Sequence, residues 1–246
     1  MPGELELDVR IEAKDFAAPG ASPRPVLRDV RFSARPGEFL ALFGPSGAGK
    51  STTLRIVLGL EHDFLGEVRR PQGRIGAMFQ EPRLVPWLSV ADNMRLVLAD
   101  NESPEPDIAG LLETVGLPDA SERFPRELSL GMARRAALAR ALAIAPSLLV
   151  LDEPFASLDP SLAARLAGVI ERAARQGGAT TLLATHDLDQ ALALADRVLV
   201  LSGHPATLSA DCRVPDRSDG AGIAALRSEL QARFPFFGAS EASPIG

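Results

Sequence analysis

Residues 44–52 read GPSGAGKST, satisfying G-x-x-x-x-G-K-[ST] directly after the apolar run FLALF and directly before the helical pattern TLRIVLGL. This strand, loop and helix context is what the pattern demands, and it confines the chain to an α/β fold built round a phosphate-binding loop. Gly44, Gly47 and Gly49 let the backbone wrap a phosphate at close range, Lys50 reaches the outer phosphates, and the Ser51 hydroxyl is suited to ligate Mg²⁺. Pro45, Ser46, Ala48 and Thr52 complete the expected nucleotide-binding stretch.

From EFLALF at 38–43 onward, short apolar runs alternate with helical periods, the signature of a mostly parallel sheet with crossover helices. LLVLD at 148–152, TTLLAT at 180–185 and RVLVLS at 197–202 read as its buried strands. Ahead of them, LELDVRIEA and VLRDVRFSA read as an antiparallel flap, split by the loop AAPGASPRP, whose Pro, Gly and Ser forbid a regular element. Between about residues 84 and 131 the strands give way to helical periods such as DIAGLLETVG, punctuated by NESPEP and GLPDASERFP. That predicts a helical subdomain inserted into the core. Residues 203–246 read as one strand, ATLSADCRV, one helix, GIAALRSELQARF, and a frayed end. One domain over residues 3–246 is expected.

Asp152 and Glu153 stand at the carboxyl end of the strand LLVLD, where open α/β sheets bind ligands. Alone, such a pair is as often a helix cap or a solvated turn. Beside a phosphate loop, Asp152 is expected to hold Mg²⁺ and Glu153 to polarise an attacking water. His186 closes TTLLAT and, if the strands are parallel, shares an edge with Glu153, although a lone histidine is more often structural. Gln80, ending the strand RIGAMFQ, is a candidate to touch metal or water.

LSLGMARRAALARAL at 128–142 is an Ala- and Arg-rich helical pattern that Ser129 is suited to cap. The N–H groups of its first turn suit an anion; the plainer alternative is that Ser129 only caps its own helix. Arg134, Arg135 and Arg140 read as a solvated or subunit-facing surface of this helix.

The net charge is -6, and the 26 Lys and Arg are spread along the chain, so no basic stripe points to nucleic acid. The single cysteine, Cys212, excludes a disulfide within the chain and suits a reducing cytoplasm. MPGELELDVRIEAKDF lacks the basic and apolar regions of a signal peptide. Apolar stretches such as ALAIAPSLLVL at 141–151 are broken by Pro146 and fall short of the roughly 18 residues that span a bilayer. Work at a membrane is expected to pass through a partner.

GPSGAGKST, Gln80, LSLGM, LLVLDEP, SLD at 157–159 and ATHD at 184–187 together resemble the ATP-binding subunit of ABC transporters, over nearly all of residues 3–203. In that family they correspond in order to the Walker A loop, the Q-loop, the signature, Walker B with its catalytic glutamate, the D-loop and the H-loop histidine. The resemblance implies ATP and Mg²⁺ as cofactors. It implies Glu153, His186 and Gln80 in catalysis, and Ser51, Gln80 and Asp152 round the metal. Ser129, Leu130, Gly131 and Met132 would face a nucleotide held by a second cassette, with Ser157 and Asp159 in the D-loop. Further implied partners are transmembrane permease subunits, docked around the Q-loop at the cytoplasmic face of the membrane, and an extracytoplasmic solute-binding protein reached through the complex. A homodimer of cassettes is expected.

Two departures qualify the resemblance. The usual signature is LSGGQ, and this chain carries Leu130 and Met132 within it. With Ser129 as N-cap, Leu130 is the first helical residue, where a side chain is sterically allowed and the N–H survives. Met at the final position is familiar in the nitrate, sulfonate and taurine import group, and EPRLVPWLSVADN after Gln80 is similar to a stretch of that group. Trp87 and Leu88 would then sit near the permease, unless Trp87 fills the core. The chain also contains no Tyr, so Phe16 at the end of the first strand is the candidate to stack on adenine; its alternative is to cover the flap's own small core. The implied function is an ATPase driving import of a nitrate-, sulfonate- or taurine-like anion. The alternatives are an exporter or lipid-extracting cassette, or a soluble ABC ATPase.

Overall fold

Two sheets organise the described residues, 7–17, 20, 22–98, 106–156 and 158–234 of the computed structural model. In the smaller, β1 (Leu7–Phe16) pairs antiparallel with β2 (Arg24–Ala34) on one side and with β4 (Leu65–Arg69) on the other. The larger contains β3 (Phe39–Phe43), β5 (Ile75–Met78), β6 (Leu148–Asp152), β7 (Thr180–Thr185), β8 (Arg197–Ser202) and β9 (Thr207–Arg213), in the order β5-β6-β7-β3-β8-β9. It is parallel except for β9, which runs antiparallel to β8 at one edge.

β3, β6 and β7 are buried throughout. A strand covered on both faces needs apolar side chains at every position, which is why these segments read as continuous runs. β3 shows how the two cores divide. Phe39, Ala41 and Phe43 enter the core beneath the helices of one face, and Leu40 and Leu42 enter the core shared with the smaller sheet. Successive side chains of a strand point to opposite sides, so one five-residue strand serves both.

The helices are α1 (Lys50–Val57), α2 (Val90–Arg95), α3 (Ile108–Thr114), α4 (Leu130–Ala143), α5 (Pro160–Gly177), α6 (Leu188–Leu194) and α7 (Gly220–Arg233). Between β5 and β6 come α2, α3 and α4, and among the described residues 84–98 and 106–131 no strand occurs. The described part of this stretch thus holds α2, α3 and the start of α4, which runs on to Ala143. β4 was not anticipated. Its sequence LGEVR is exposed at four of five positions and carries no buried alternation to betray it. Conversely, RIGAMFQ does not end its strand at Gln80: β5 stops at Met78 and Gln80 lies in the bend beyond.

In the insert, Asn93 is wholly buried, and its amide closes the loop before α2. Its Oδ1 accepts from the Val85 N–H at 2.7 Å, and its Nδ2 donates to the carbonyls of Val85, Leu88 and Ser89 at 2.9–3.2 Å. The loop so fixed presents Trp87 to solvent, 75% exposed. Trp87 is thus not core filling. Asn93→Ala leaves four backbone groups without this partner and is expected to cost about 2–3 kcal/mol, measured as a lower urea midpoint at unchanged m value.

Candidate active site

Past β3 the chain turns through residues 44–49, and α1 starts at Lys50. Gly49, with φ +81°, is its N-cap, and a Cβ there would lie 2.5 Å from Leu27 Cδ2. A Cβ at Gly44 would lie 2.5 Å from the Leu201 carbonyl oxygen. Gly44 and Gly49 are therefore demanded by close packing as well as by any ligand, and Gly47 by its φ of +78°. Thr53 seals the helix start, donating through its hydroxyl to the Gly49 carbonyl at 3.0 Å.

Lys50 is 7% exposed and its ammonium donates to the carbonyls of Gly44 at 2.7 Å and Pro45 at 3.1 Å. It lies 3.7 Å from Glu153 Oε1. Burial pushes its pKa down, opposed by the nearby carboxylates of Glu153 and Asp152. Asp152, 6% exposed at the end of β6, is pushed the other way: burial raises its pKa, while a hydrogen bond from the Ser51 hydroxyl and the charge of Lys50 oppose the rise. A desolvated carboxylate of this kind gains from a cation at close range.

Glu153 has φ +51°, a left-handed backbone that non-glycine residues adopt rarely. Its N–H still donates to the Ala184 carbonyl at 3.0 Å, tying it to β7. The side chain is bracketed, with Oε1 facing Lys50 and Oε2 2.9 Å from His186 Nδ1. Strain of about 1–3 kcal/mol at such a residue persists only where its surroundings over-determine it. Here the strand behind and two side chains in front fix where the carboxylate points.

These groups open onto one cleft of about 780 Å³, whose wall also carries Phe16, Ser46, Thr52 and Gln80. Phe16 is exposed at the rim rather than buried in the flap, and the Lys14 ammonium lies 4.5 Å from its ring centroid. Arg24, paired in register with Phe16 across β1 and β2, lines the cleft too. Sequence reasoning passed it over because it sits in the Pro- and Ser-rich stretch read as loop.

Ser129, Leu130, Gly131 and Met132 do not line this cleft. Ser129 caps α4, its Oγ accepting from the Met132 N–H at 3.2 Å. Leu130 is the first helical residue, has no positive φ and is 58% exposed. Asp159 caps α5 through the Leu162 N–H at 3.0 Å; Ser157 lies outside the described residues. The arginines of α4 correct the expectation of a solvated face. Arg134 is buried, Arg135 donates to the Val115 and Gly116 carbonyls, and Arg140 donates to those of Pro82 and Arg83.

The sequence pattern of the ABC transporter family matches residues 27–156, just over half of the chain. The aliphatic sulfonates import ATP-binding protein SsuB 2 of Pseudomonas syringae pv. tomato is 44% identical over 203 residues, covering 82% of this chain and 85% of its own length. A protein of the same name from Burkholderia lata is 42% identical over 236 residues, covering 91% and 84%. Among solved structures, a post-hydrolysis dimer of the ATP-binding cassette MJ0796 bound to ADP and Pi aligns with a TM-score of 0.76 at 25% identity. It covers 85% of this chain and 99% of that one.

Proposed function

Because the chain belongs to the ABC transporter family as an ATP-binding cassette, we propose that it is the ATP-hydrolysing subunit of an importer for aliphatic sulfonates. Relatives named for that import support the solute, and the chemistry rests on one observation above all: the Glu153 carboxylate held between Lys50 and His186 at the carboxyl edge of β6 and β7.

In this reading the loop from Gly44 to Thr52 holds the phosphates of ATP, and the Lys50 ammonium exchanges its carbonyl partners for phosphate oxygens. Ser51, Gln80 and Asp152 offer oxygen donors, the set a hard divalent cation takes. Among the described residues no group of three His, Cys, Asp or Glu could cage a metal alone, so Mg²⁺ would complete its shell with phosphate oxygens and water. When bound, it neutralises charge on the transferring phosphoryl group. Glu153 accepts the proton of the attacking water, and His186 holds that carboxylate in place. Phe16 stacks on the base.

The signature residues serve a nucleotide on another subunit. Ser129 and the N–H groups of Leu130 and Gly131, lying outside the cleft, face the ATP of a second cassette, as expected of a head-to-tail homodimer; dimeric neighbours support the pairing. Exposed Trp87, on the loop clamped by Asn93, meets a membrane-embedded permease. Among the described residues no helix is long and apolar enough to cross a membrane. The chain then works peripherally at the cytoplasmic face, with a solute-binding protein on the far side.

The test is ATP hydrolysis by the chain assembled with its permease and solute-binding protein in vesicles. An alkanesulfonate is expected to stimulate turnover several-fold while nitrate leaves it at the basal rate. Stimulation by nitrate alone would overturn the sulfonate assignment and keep the importer.

A further inference from the structure

Arg134 is 7% exposed, and its guanidinium meets backbone carbonyls in two loops. Nε donates to the Gln80 carbonyl at 3.2 Å, and Nη1 donates to the Ala156 carbonyl at 2.6 Å. Burying a guanidinium is costly unless its donors are used, and an apolar side chain would fill the same space more cheaply. The two acceptors stand at chemically telling places. Gln80 is the cleft amide beyond β5, and Ala156 lies three residues past Glu153, in the turn that leads to Asp159. Arg134 itself stands five residues beyond Ser129, the N-cap of the same helix.

A second arginine of α4 reinforces one side of this link. Arg140 donates to the carbonyls of Arg83 at 2.9 Å and Pro82 at 3.0 Å. The stretch from Gln80 to Arg83 is therefore held to α4 at three carbonyls. Only Arg134 also reaches the turn after Glu153. We propose that Arg134 is a positioning residue for hydrolysis: by tying the Gln80 and Ala156 carbonyls to one guanidinium, it fixes the bend after β5 and the turn after Glu153 relative to each other. The inference rests on the cassette reading above and extends it to a side chain that does not line the cleft.

The planar fork of arginine suits this role, because its separated Nε and Nη1 donors meet carbonyls in two different loops, whereas an ammonium is a single point on a flexible stem. Arg134→Met removes both links, and Arg134→Lys retains reach to one. The purified full chain is assayed for affinity toward a fluorescent ATP analogue, for hydrolysis at saturating ATP, and for thermal stability. Affinity is expected to stay within about twofold, while kcat falls about tenfold in Arg134→Met and by an intermediate factor in Arg134→Lys. Backbone amide exchange at Phe155 and Ala156 is expected to accelerate in Arg134→Met with β6 unchanged. A kcat within about twofold of the original in Arg134→Met overturns the proposal. So does a parallel loss of affinity, kcat and Tm in both variants, which would make Arg134 a packing residue. Failure of the unaltered chain to bind ATP would bring down the cassette reading itself, and this inference with it.

Discussion

Replacing Glu153 by glutamine is expected to lower ATP turnover by about 10²–10⁴-fold, the range that a positioned general base contributes, with ATP affinity unchanged within about twofold. The carboxamide keeps the shape of the side chain and its place beside His186, but it has no basicity with which to take a proton from water. A chain that binds ATP without consuming it should accumulate in its paired form. Light scattering of Glu153→Gln with excess ATP is therefore expected to give twice the monomer mass, and Ser129→Arg in the same background is expected to restore the monomer. Near-normal hydrolysis would remove Glu153 from the role of base. A monomer throughout would mean that the signature carrying Leu130 in place of Gly is too weak to clasp a partner's nucleotide unaided.

Lys50→Ala is expected to weaken ATP binding at least about a hundredfold, measured by titration of a fluorescent ATP analogue. Two effects act in one direction. The substitution deletes the cation proposed to face the outer phosphates, and it leaves buried Asp152 and partly buried Glu153 without their compensating charge. Truncating one partner of a buried, hydrogen-bonded charge pair across a binding contact costs about 2–5 kcal/mol, and each 1.4 kcal/mol is about tenfold in affinity. Retained affinity would sink the assignment of residues 44–52 as the nucleotide loop. The variant also separates binding from chemistry, since Glu153→Gln is expected to spare the first and Lys50→Ala to weaken it.

Much of the fold was legible because its signals are local. β3, β6 and β7 announce themselves as apolar runs because both faces are covered, and the glycine-rich turn before Lys50 has a spacing that steric demand at Gly44 and Gly49 explains. The candidate site was legible for the same reason, since Asp152, Glu153 and His186 follow strands whose ends can be counted off the sequence. What escaped depends on contacts between distant segments. β4 is a solvated edge strand whose place is set by pairing with β1, not by its own composition. Arg134 looked like surface because arginines usually are, and nothing near it in sequence reveals that its acceptors are carbonyls 54 and 22 positions away. Phe16 and Trp87 were each left with two readings, and burial separated them: both are exposed, one at the cleft and one on the clamped loop.

β3 sends alternate side chains into two cores and hands the chain directly to the nucleotide loop. Two cores that share a strand are expected to melt as one cooperative unit, because neither keeps its packing once that strand detaches. The loop proposed to grip ATP is stitched to the same seam, so heat or mutation that loosens either core is expected to withdraw the grip at the same moment. A damaged copy of this chain thus stops drawing on the cell's ATP as it comes apart, and it reaches the proteases as an idle polypeptide rather than as a runaway motor.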